Sequence, residues 1–398
     1  MKVLMFGWEF PPLSSGGLGT ACYGLTKGLS RNNISIIFVV PGSTDIPCDF
    51  ARILPVGNLT VKKIDSILTP YMTSESYHWD KKKRHFSTIY GSDLFKEVYR
   101  YTKLAERIAE EEEYDIIHCH DWMTYGAGIA AKEISGKPLV IHVHATEFDR
   151  TGGNNVNEHV YMIEKEGMEV ADRIIAVSNF TKHRIVSQYG INPEKVQVVH
   201  NAVEFDTIEI SKPPAGIRKH DKIVLFLGRI TLQKGPDYFI YAAKKVLEVE
   251  PNVKFIMAGS GDMERRMIEK AAEMGISDKV LFSGFLSGKD VDKAYKMADV
   301  YVMPSVSEPF GIAPLEAMRN NVPVIISKQS GVSEVIKSCL KVDFWDVNDL
   351  ANKIIAVIRY DALHDSMQEN GSMEIKKFSW DIPAKKCIEV YKQLLGVF

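Results

Sequence analysis

Apolar, β-branched runs recur along the chain in two series. The first comprises Val3–Phe6, Ile34–Val40, Ile116–Ile117, Leu139–Val143, Ile174–Val177 and Val196–Val199. The second comprises Ile223–Leu227, Val253–Met257, Val280–Phe282, Val300–Met303 and Val322–Ile326. Each run is near-continuously apolar and not alternating, the pattern of strands buried on both faces of a parallel sheet. Between them lie amphipathic stretches of helical length, among them Leu94–Glu112, Pro236–Glu248, Glu264–Met274 and Asp290–Ala298. Strand and helix signals that alternate in this way predict α/β layers with right-handed crossovers. The two series meet at residues 204–221, a polar stretch holding Ser211-Lys212-Pro213-Pro214-Ala215-Gly216. Breakers of this kind mark a linker. The pattern therefore predicts two doubly wound, Rossmann-like domains of similar size with a cleft between them.

Composition narrows the class. A chain of 398 residues with 45% hydrophobic and 25% charged residues is an ordinary globular protein. Disorder, collagen-like repeats and a disulfide scaffold are excluded on that ground. Lys+Arg total 49 against 51 for Asp+Glu, so there is no polycation character to hold nucleic acid unspecifically. No apolar run reaches the ~18 residues of a membrane span. Met1–Phe6 runs straight into Gly7, without the apolar core of a signal peptide. Cys22, Cys48, Cys119, Cys339 and Cys387 are scattered and odd in number, so reduced structural thiols and a cytoplasmic setting are expected. The one basic cluster, Lys81-Lys82-Lys83-Arg84-His85, reads first as a solvated loop and second as a contact with a polyanion or membrane.

Candidate chemistry sits where strands end. Ser14-Ser15-Gly16-Gly17-Leu18-Gly19 follows the first strand and precedes a helical pattern. Glycines there let backbone N–H groups approach an anion at a helix start; an ordinary strand-to-helix turn is the plainer reading. Gly228-Arg229-Ile230-Thr231-Leu232-Gln233-Lys234-Gly235 leaves the first strand of the second half. Arg229 and Lys234 in that loop would suit a diphosphate. Glu308-Pro309-Phe310-Gly311-Ile312-Ala313-Pro314-Leu315-Glu316 follows a later strand. Pro314 places a helix start near Ile312, and Glu308 and Glu316 could accept from sugar hydroxyls. His142 and His144, like His118 and His120, share a strand face at i, i+2 and are followed by or lie near Asp121. A zinc hydrolase is thinkable there; site-lining hydrogen bonders are the better reading. Asp290-Val291-Asp292 falls in a helical pattern that sets its carboxylates about 200° apart, too far round to share a metal. Gly259-Ser260-Gly261 lacks the third glycine of a dinucleotide loop, though Gly259 could offer its backbone to a nucleotide.

Gly16-Gly17-Leu18-Gly19, His118-Cys119-His120-Asp121-Trp122, His144, Arg229 with Lys234, and Glu308 with Glu316 occur in that order. Together they resemble the retaining glycosyltransferases of the GT-B fold, with two Rossmann-like domains. The pattern is similar to bacterial and archaeal glycogen synthases and to the sucrose-synthase and glycosyltransferase group 1 family, over nearly the whole chain. Phe378-Ser379-Trp380 with Tyr391 resembles the family's last helix. The resemblance implies domains at 1–203 on the acceptor side and 204–378 for the nucleotide sugar, with 379–398 returning to the first. It implies that Arg229 and Lys234 neutralise the donor diphosphate and that Gly16 and Gly17 present N–H groups to phosphate or sugar. Glu316 would hold the ribose, with Gly259, Phe310 and Gly311 also on the nucleotide-sugar side. Glu308 and His144 would flank the reacting sugar, and Asp121 and Trp122 would meet sugar or acceptor. No metal and no other cofactor are implied.

Two departures stand out: Ser15 replaces the lysine that glycogen synthases carry before Gly-Gly-Leu, and Ser330-Gly331-Val332-Ser333 replaces their late Thr-Gly-Gly-Leu run. An aromatic interval holding Tyr71, Tyr77, Trp79, Phe86, Tyr90, Phe95, Tyr99 and Tyr101 could stack sugar rings or simply pack. The expectation is a hexosyltransferase moving glucose from ADP- or UDP-glucose to an α-1,4-glucan. The alternatives are a group 1 transferase with a lipid or small-molecule acceptor, a sugar-nucleotide epimerase or phosphorylase on the same fold, and a non-catalytic nucleotide-sugar binder.

Overall fold

The computed structural model describes residues 1–11, 16–41, 48–56, 92–153, 155–204 and 221–397. They form two compact units, Met1–Glu204 with Ser379–Phe398 and Phe205–Phe378. The Pro-rich linker stretch, the Lys81–His85 cluster, Ser14, Ser15 and the aromatics from Tyr71 to Tyr90 lie outside the described residues.

The first unit runs β1 (Lys2–Phe6), α1 (Gly17–Arg31), β2 (Ser35–Pro41), β3 (Arg52–Val56), α2 (Ser92–Glu111), β4 (Ile116–His120), α3 (Tyr125–Ser135), β5 (Leu139–Val143), α4 (Glu147–Arg150), α5 (Glu158–Val170), β6 (Arg173–Ala176), α6 (Asn179–Tyr189) and β7 (Val196–Val198). The strands make one seven-stranded parallel sheet in the order β3-β2-β1-β4-β5-β6-β7. Every residue of β4 and β5 is buried, which is why these strands read as continuous apolar runs. Leu4, Phe6, Ile117, Cys119, Ile141 and Val143 face one core with Tyr101 and Trp122. Each large apolar side chain so buried contributes about 1.5–3 kcal/mol.

The second unit runs β8 (Lys222–Leu227), α7 (Pro236–Val249), β9 (Val253–Ala258), α8 (Glu264–Glu273), β10 (Val280–Gly284), α9 (Lys289–Met297), β11 (Val300–Met303), α10 (Ala313–Arg319), β12 (Val324–Ser327), β13 (Leu340–Val342), α11 (Val347–Arg359) and α12 (Asp361–Glu374). Its six strands are parallel in the order β10-β9-β8-β11-β12-β13. The predicted doubly wound α/β class is the observed one. Two strands escaped the pattern, both at sheet edges. Arg52–Val56 contains Pro55, which demotes a strand to an edge, and Leu340–Val342 has three residues with a lysine in the middle. Among the described residues, no helix is long and apolar enough to cross a membrane.

The last helix, α13 (Asp381–Leu395), packs on α1 within the first unit. Gly24 and Gly28, one turn apart on α1, make the approach close. A Cβ on Gly24 would lie 2.2 Å from the Trp380 ring, and one on Gly28 would lie 2.6 Å from the Trp380 carbonyl oxygen. Trp380 is itself buried. Gly24→Leu is therefore expected to overpack this contact and cost about 1–3 kcal/mol, read as a lower urea midpoint; an unchanged midpoint would show that the Trp380 ring can leave without loss.

Candidate functional site

In both sheets the strand order reverses once, between β1 and β4 and between β8 and β11. Loops leaving the two central strands at such a point run in opposite directions and open a crevice at the C-terminal edge. The predicted residues collect at these two edges.

In the first unit, Gly16 caps α1 in an extended conformation, and a Cβ on Gly17 would meet nothing within 4 Å. No acidic residue lies in the first turn of α1 itself; the acid at this helix start comes from outside the helix. Glu9, which sequence reasoning missed, lies beneath: its Oε2 accepts from the Gly19 N–H at 3.3 Å. Its signal was an acid three residues beyond a buried strand.

The four histidines stack. β4 and β5 pair with His120 opposite His142, so the i, i+2 spacing on each strand brings four rings together. His118 and His120 have ring centroids 4.5 Å apart, and His142 and His144 4.3 Å. His118 Nε2 lies 3.3 Å from His142 Nδ1, and His120 Nδ1 lies 3.0 Å from His144 Nε2. Tyr391 of α13 places its hydroxyl 2.5 Å from His118 Nδ1. Burial holds the His144 imidazole down to about 3, and burial with His144 nearby does the same to His118. His120 and His142 are also lowered well below the usual range, first by burial. All four rings are therefore neutral at pH 7.

Asp121 sits between the strands with φ 61° and ψ 167°, a backbone conformation costly for a non-glycine residue. Its N–H donates to the His142 carbonyl at 3.1 Å. Its Oδ1 accepts from the N–H groups of His144 at 2.7 Å and Ala145 at 3.2 Å. Asp121 is thus fully buried and fixes the backbone of His144. Trp122 is 1% exposed and packs on Phe95, so its ring faces the core and not a ligand. The same loop is held from the other side by Arg150, 1% exposed. Its Nη2 donates to the Ala145 carbonyl at 2.9 Å and its Nη1 to Glu164 at 2.8 Å. Glu164 also takes the Tyr189 hydroxyl and the Glu147 N–H. This network was missed, although Glu164 lies on the buried face of α5 with Val160, Gly167 and Met168. An acid on an apolar face calls for a buried cation.

In the second unit, Lys234 ends the short 3-10 turn Leu232–Lys234. Its Nζ lies 2.5 Å from Glu308 Oε2, which also accepts from Ser305 Oγ at 3.2 Å. Gln233 links the two loops: its carbonyl accepts from the Val306 N–H at 2.9 Å, and its Oε1 from Arg229 Nη2 at 3.5 Å. Gly235 at φ +65° leaves no room for a Cβ, which would lie 2.1 Å from the Pro304 carbonyl. Gly259 closes a neighbouring gap. At φ +138°, a Cβ there would lie 1.9 Å from the Gly228 carbonyl, and the Ile230 N–H donates to Ser260. The Gly259 loop is thereby clasped to the Arg229 loop.

Glu308 bridges to Ser330, with Gly331 donating to its carbonyl at 2.9 Å and Val332 to that of Phe310 at 2.7 Å. The Phe310 ring is buried, and Gly311 follows at φ +100°. Glu316, in the first turn of α10, accepts from Tyr295 at 3.0 Å. Burial raises its carboxyl, opposed by Arg319 and by the Tyr295 hydrogen bond. Tyr301 is raised by burial and then by Glu308 and Glu316, so both carboxylates bear on one phenol. The Asp-x-Asp segment is split as the helical spacing requires. Asp292 binds Arg319 and Asn320, while Asp290 pairs with Lys293 on the surface.

Among the described residues, two trios could hold a metal ion: Cys22, His120 and His144, and His118, His120 and His142. Protons compete for the same rings in the unfolded chain, where imidazoles titrate near 6.5. A depressed imidazole contributes stability that is complete above 6.5 and lost as pH falls towards the folded value of about 3 for His118 and His144. The urea midpoint is therefore expected to fall between pH 7.5 and pH 5, and less steeply in His118→Asn. Equal slopes for the two proteins would show that these rings are solvated.

Comparison with known proteins agrees with the two-part arrangement. Residues 15–207 match the family model Glycosyltransferase Family 4, and residues 207–373 match Glycosyl transferases group 1. An uncharacterized glycosyltransferase of Methanocaldococcus jannaschii is 32% identical over 98% of both chains. D-inositol 3-phosphate glycosyltransferase of Kribbella flavida is 27% identical over 72% of this chain and 73% of its own. Glycogen synthase of Mycobacterium tuberculosis is 23% identical over 84% and 80%. Among solved structures, sucrose-phosphate synthase from Thermosynechococcus elongatus superposes with a TM-score of 0.78 at 21% identity, covering 99% of each chain. Anabaena HepE in complex with UDP-glucose superposes at 0.71 and 17%, covering 99% of this chain and 100% of the other. On the 32% identity over 98% of both chains and the two family models, the chain belongs to the group 1 glycosyltransferases of the GT-B fold and is a hexosyltransferase.

Proposed function

We propose that the chain transfers a hexosyl group from a nucleoside diphosphate sugar, with retention and without a metal. The Lys234–Glu308 pair at the strand-order reversal of the second sheet carries this reading. Breaking a sugar–phosphate bond builds negative charge on the diphosphate and positive charge on the ring. Lys234 and Arg229 would stabilise the first. Glu308, held in place by Ser305, would face the sugar, and Glu316 the ribose. Preorganised charges of this kind need no rearrangement as the bond breaks, and one such donor is worth about 2.7–4 kcal/mol elsewhere. The Gly16–Gly17 helix start would take phosphate or sugar oxygens, and His144, its backbone fixed by Asp121, would lie beside the reacting carbon. No residue must serve as a covalent nucleophile, so a same-face displacement is the mechanism proposed.

For the transfer itself, glucose from ADP- or UDP-glucose to an α-1,4-glucan is the leading reading. A small hydroxylated acceptor is the second. It is favoured by the inositol phosphate relative. Labelled ADP-glucose and UDP-glucose, each with glycogen or inositol phosphate, separate the two. Label that precipitates with glycogen supports the glucan; label in a new soluble product with inositol phosphate supports the small acceptor.

Lys234→Ala is expected to lower turnover by at least two orders of magnitude while the circular dichroism stays native. Wild-type rates would sink the diphosphate assignment. Activity is expected to survive EDTA; loss that manganese or magnesium restores would show that fixed cations do not replace a metal here.

A further inference from the structure

We propose that Cys22, His120 and His144 form a binding site for a divalent ion of the zinc class, and that occupation of this site inhibits transfer. The three residues come from three elements: Cys22 from the buried face of α1, His120 from the end of β4, and His144 from just beyond β5. One ligand atom of each lies within 4.8 Å of the other two. A tetrahedral ion with metal–nitrogen bonds of about 2.0–2.1 Å holds its nitrogens about 3.3 Å apart. His120 Nδ1 and His144 Nε2, 3.0 Å apart, already stand close to that separation.

A second observation concerns the stack itself. His120 Nε2 and His142 Nε2 are buried ring nitrogens with no hydrogen-bond partner, and both residues are at most 2% exposed. The ligand atom of His120 is Nδ1, so its Nε2 can carry the ring proton when an ion binds. Of the two trios, this one has a way in. His144 is half-buried, whereas His118, His120 and His142 are all enclosed.

The donor set selects the ion. Two neutral imidazoles and a thiolate suit zinc, cobalt or copper and reject magnesium and calcium. The Cys22 thiol is protonated in the free protein, burial having raised it, with Glu9 and Asp121 adding to the effect. Binding forms two N–metal bonds and one S–metal bond and releases one proton, from Cys22 Sγ. The proton between His120 and His144 moves to the other nitrogen of its own ring. The ion then draws His144 towards Cys22. Inhibition rests on the reading of His144 as a transfer-site residue; the binding site does not.

The probe is Co(II), titrated into the full-length protein at pH 7.5 with Mg(II) as the hard-ion control. One equivalent is expected to bind with an intense near-ultraviolet thiolate-to-cobalt band, displaced by Zn(II), and Mg(II) should give nothing. Cys22→Ser, and independently Cys22→Ala, should keep the metal-free transfer rate, lose the band and weaken binding at least tenfold. They should also escape inhibition by micromolar Zn(II). Absence of the band, or a band that survives both substitutions, overturns the site. A band lost with Cys22, together with transfer indifferent to Zn(II), upholds the site and refutes the inhibition and the transfer role of His144.

Discussion

A parallel sheet buried on both faces can meet solvent chemistry only at its edges, and this constraint shapes the whole chain. Strands such as β4 and β5 have no exposed position from end to end. Polar function must therefore leave the sheet with the chain, in the loops at the C-terminal edge. The reversal of strand order in each unit then decides which loops diverge enough to admit a ligand. The Gly16 helix start, Lys234 and Glu308 all follow strands that flank these reversals.

The edge loops need firm support, because backbone that leaves a buried sheet carries polar groups with it. The structure meets this in two different ways. The first unit uses buried charge. Asp121 accepts the N–H groups of His144 and Ala145, and Arg150 takes the Ala145 carbonyl while paired with Glu164. Breaking such a buried pair costs about 3–5 kcal/mol, so the His144 segment is stiff. The second unit uses missing side chains. Gly235 and Gly259 allow backbone to touch backbone, and Gln233 ties the Arg229 loop to the Glu308 loop. Both solutions fix candidate side chains through their neighbours.

The histidine stack is the place where these supports and the candidate chemistry meet. Its four rings are neutral because burial removes the charged form. Tyr391 reaches it from the last helix, and that helix is held by the Gly24 and Gly28 contact with Trp380. A chain terminus distant in sequence is thus coupled to the hydrogen bonding of His118.

The amino-acid sequence by itself determined the α/β class, the two series of strands and the loops that leave the strand ends. These depend on periodicity and on local rules for glycine, proline and strand ends, which a linear reading can apply. It also separated Asp290 from Asp292, since helical geometry alone sets them apart. The edge strands Arg52–Val56 and Leu340–Val342 were not legible, because only a neighbouring strand makes so short a segment extended. Nor was the fate of Trp122, whose motif suggested a ligand contact while packing against Phe95 turned it inward. The pairing of Lys234 with Glu308, the closure of Arg150 on Glu164 and the meeting of Cys22 with His120 and His144 join residues far apart along the chain. No local rule specifies such contacts; the crossing of helices over the twisted sheets does.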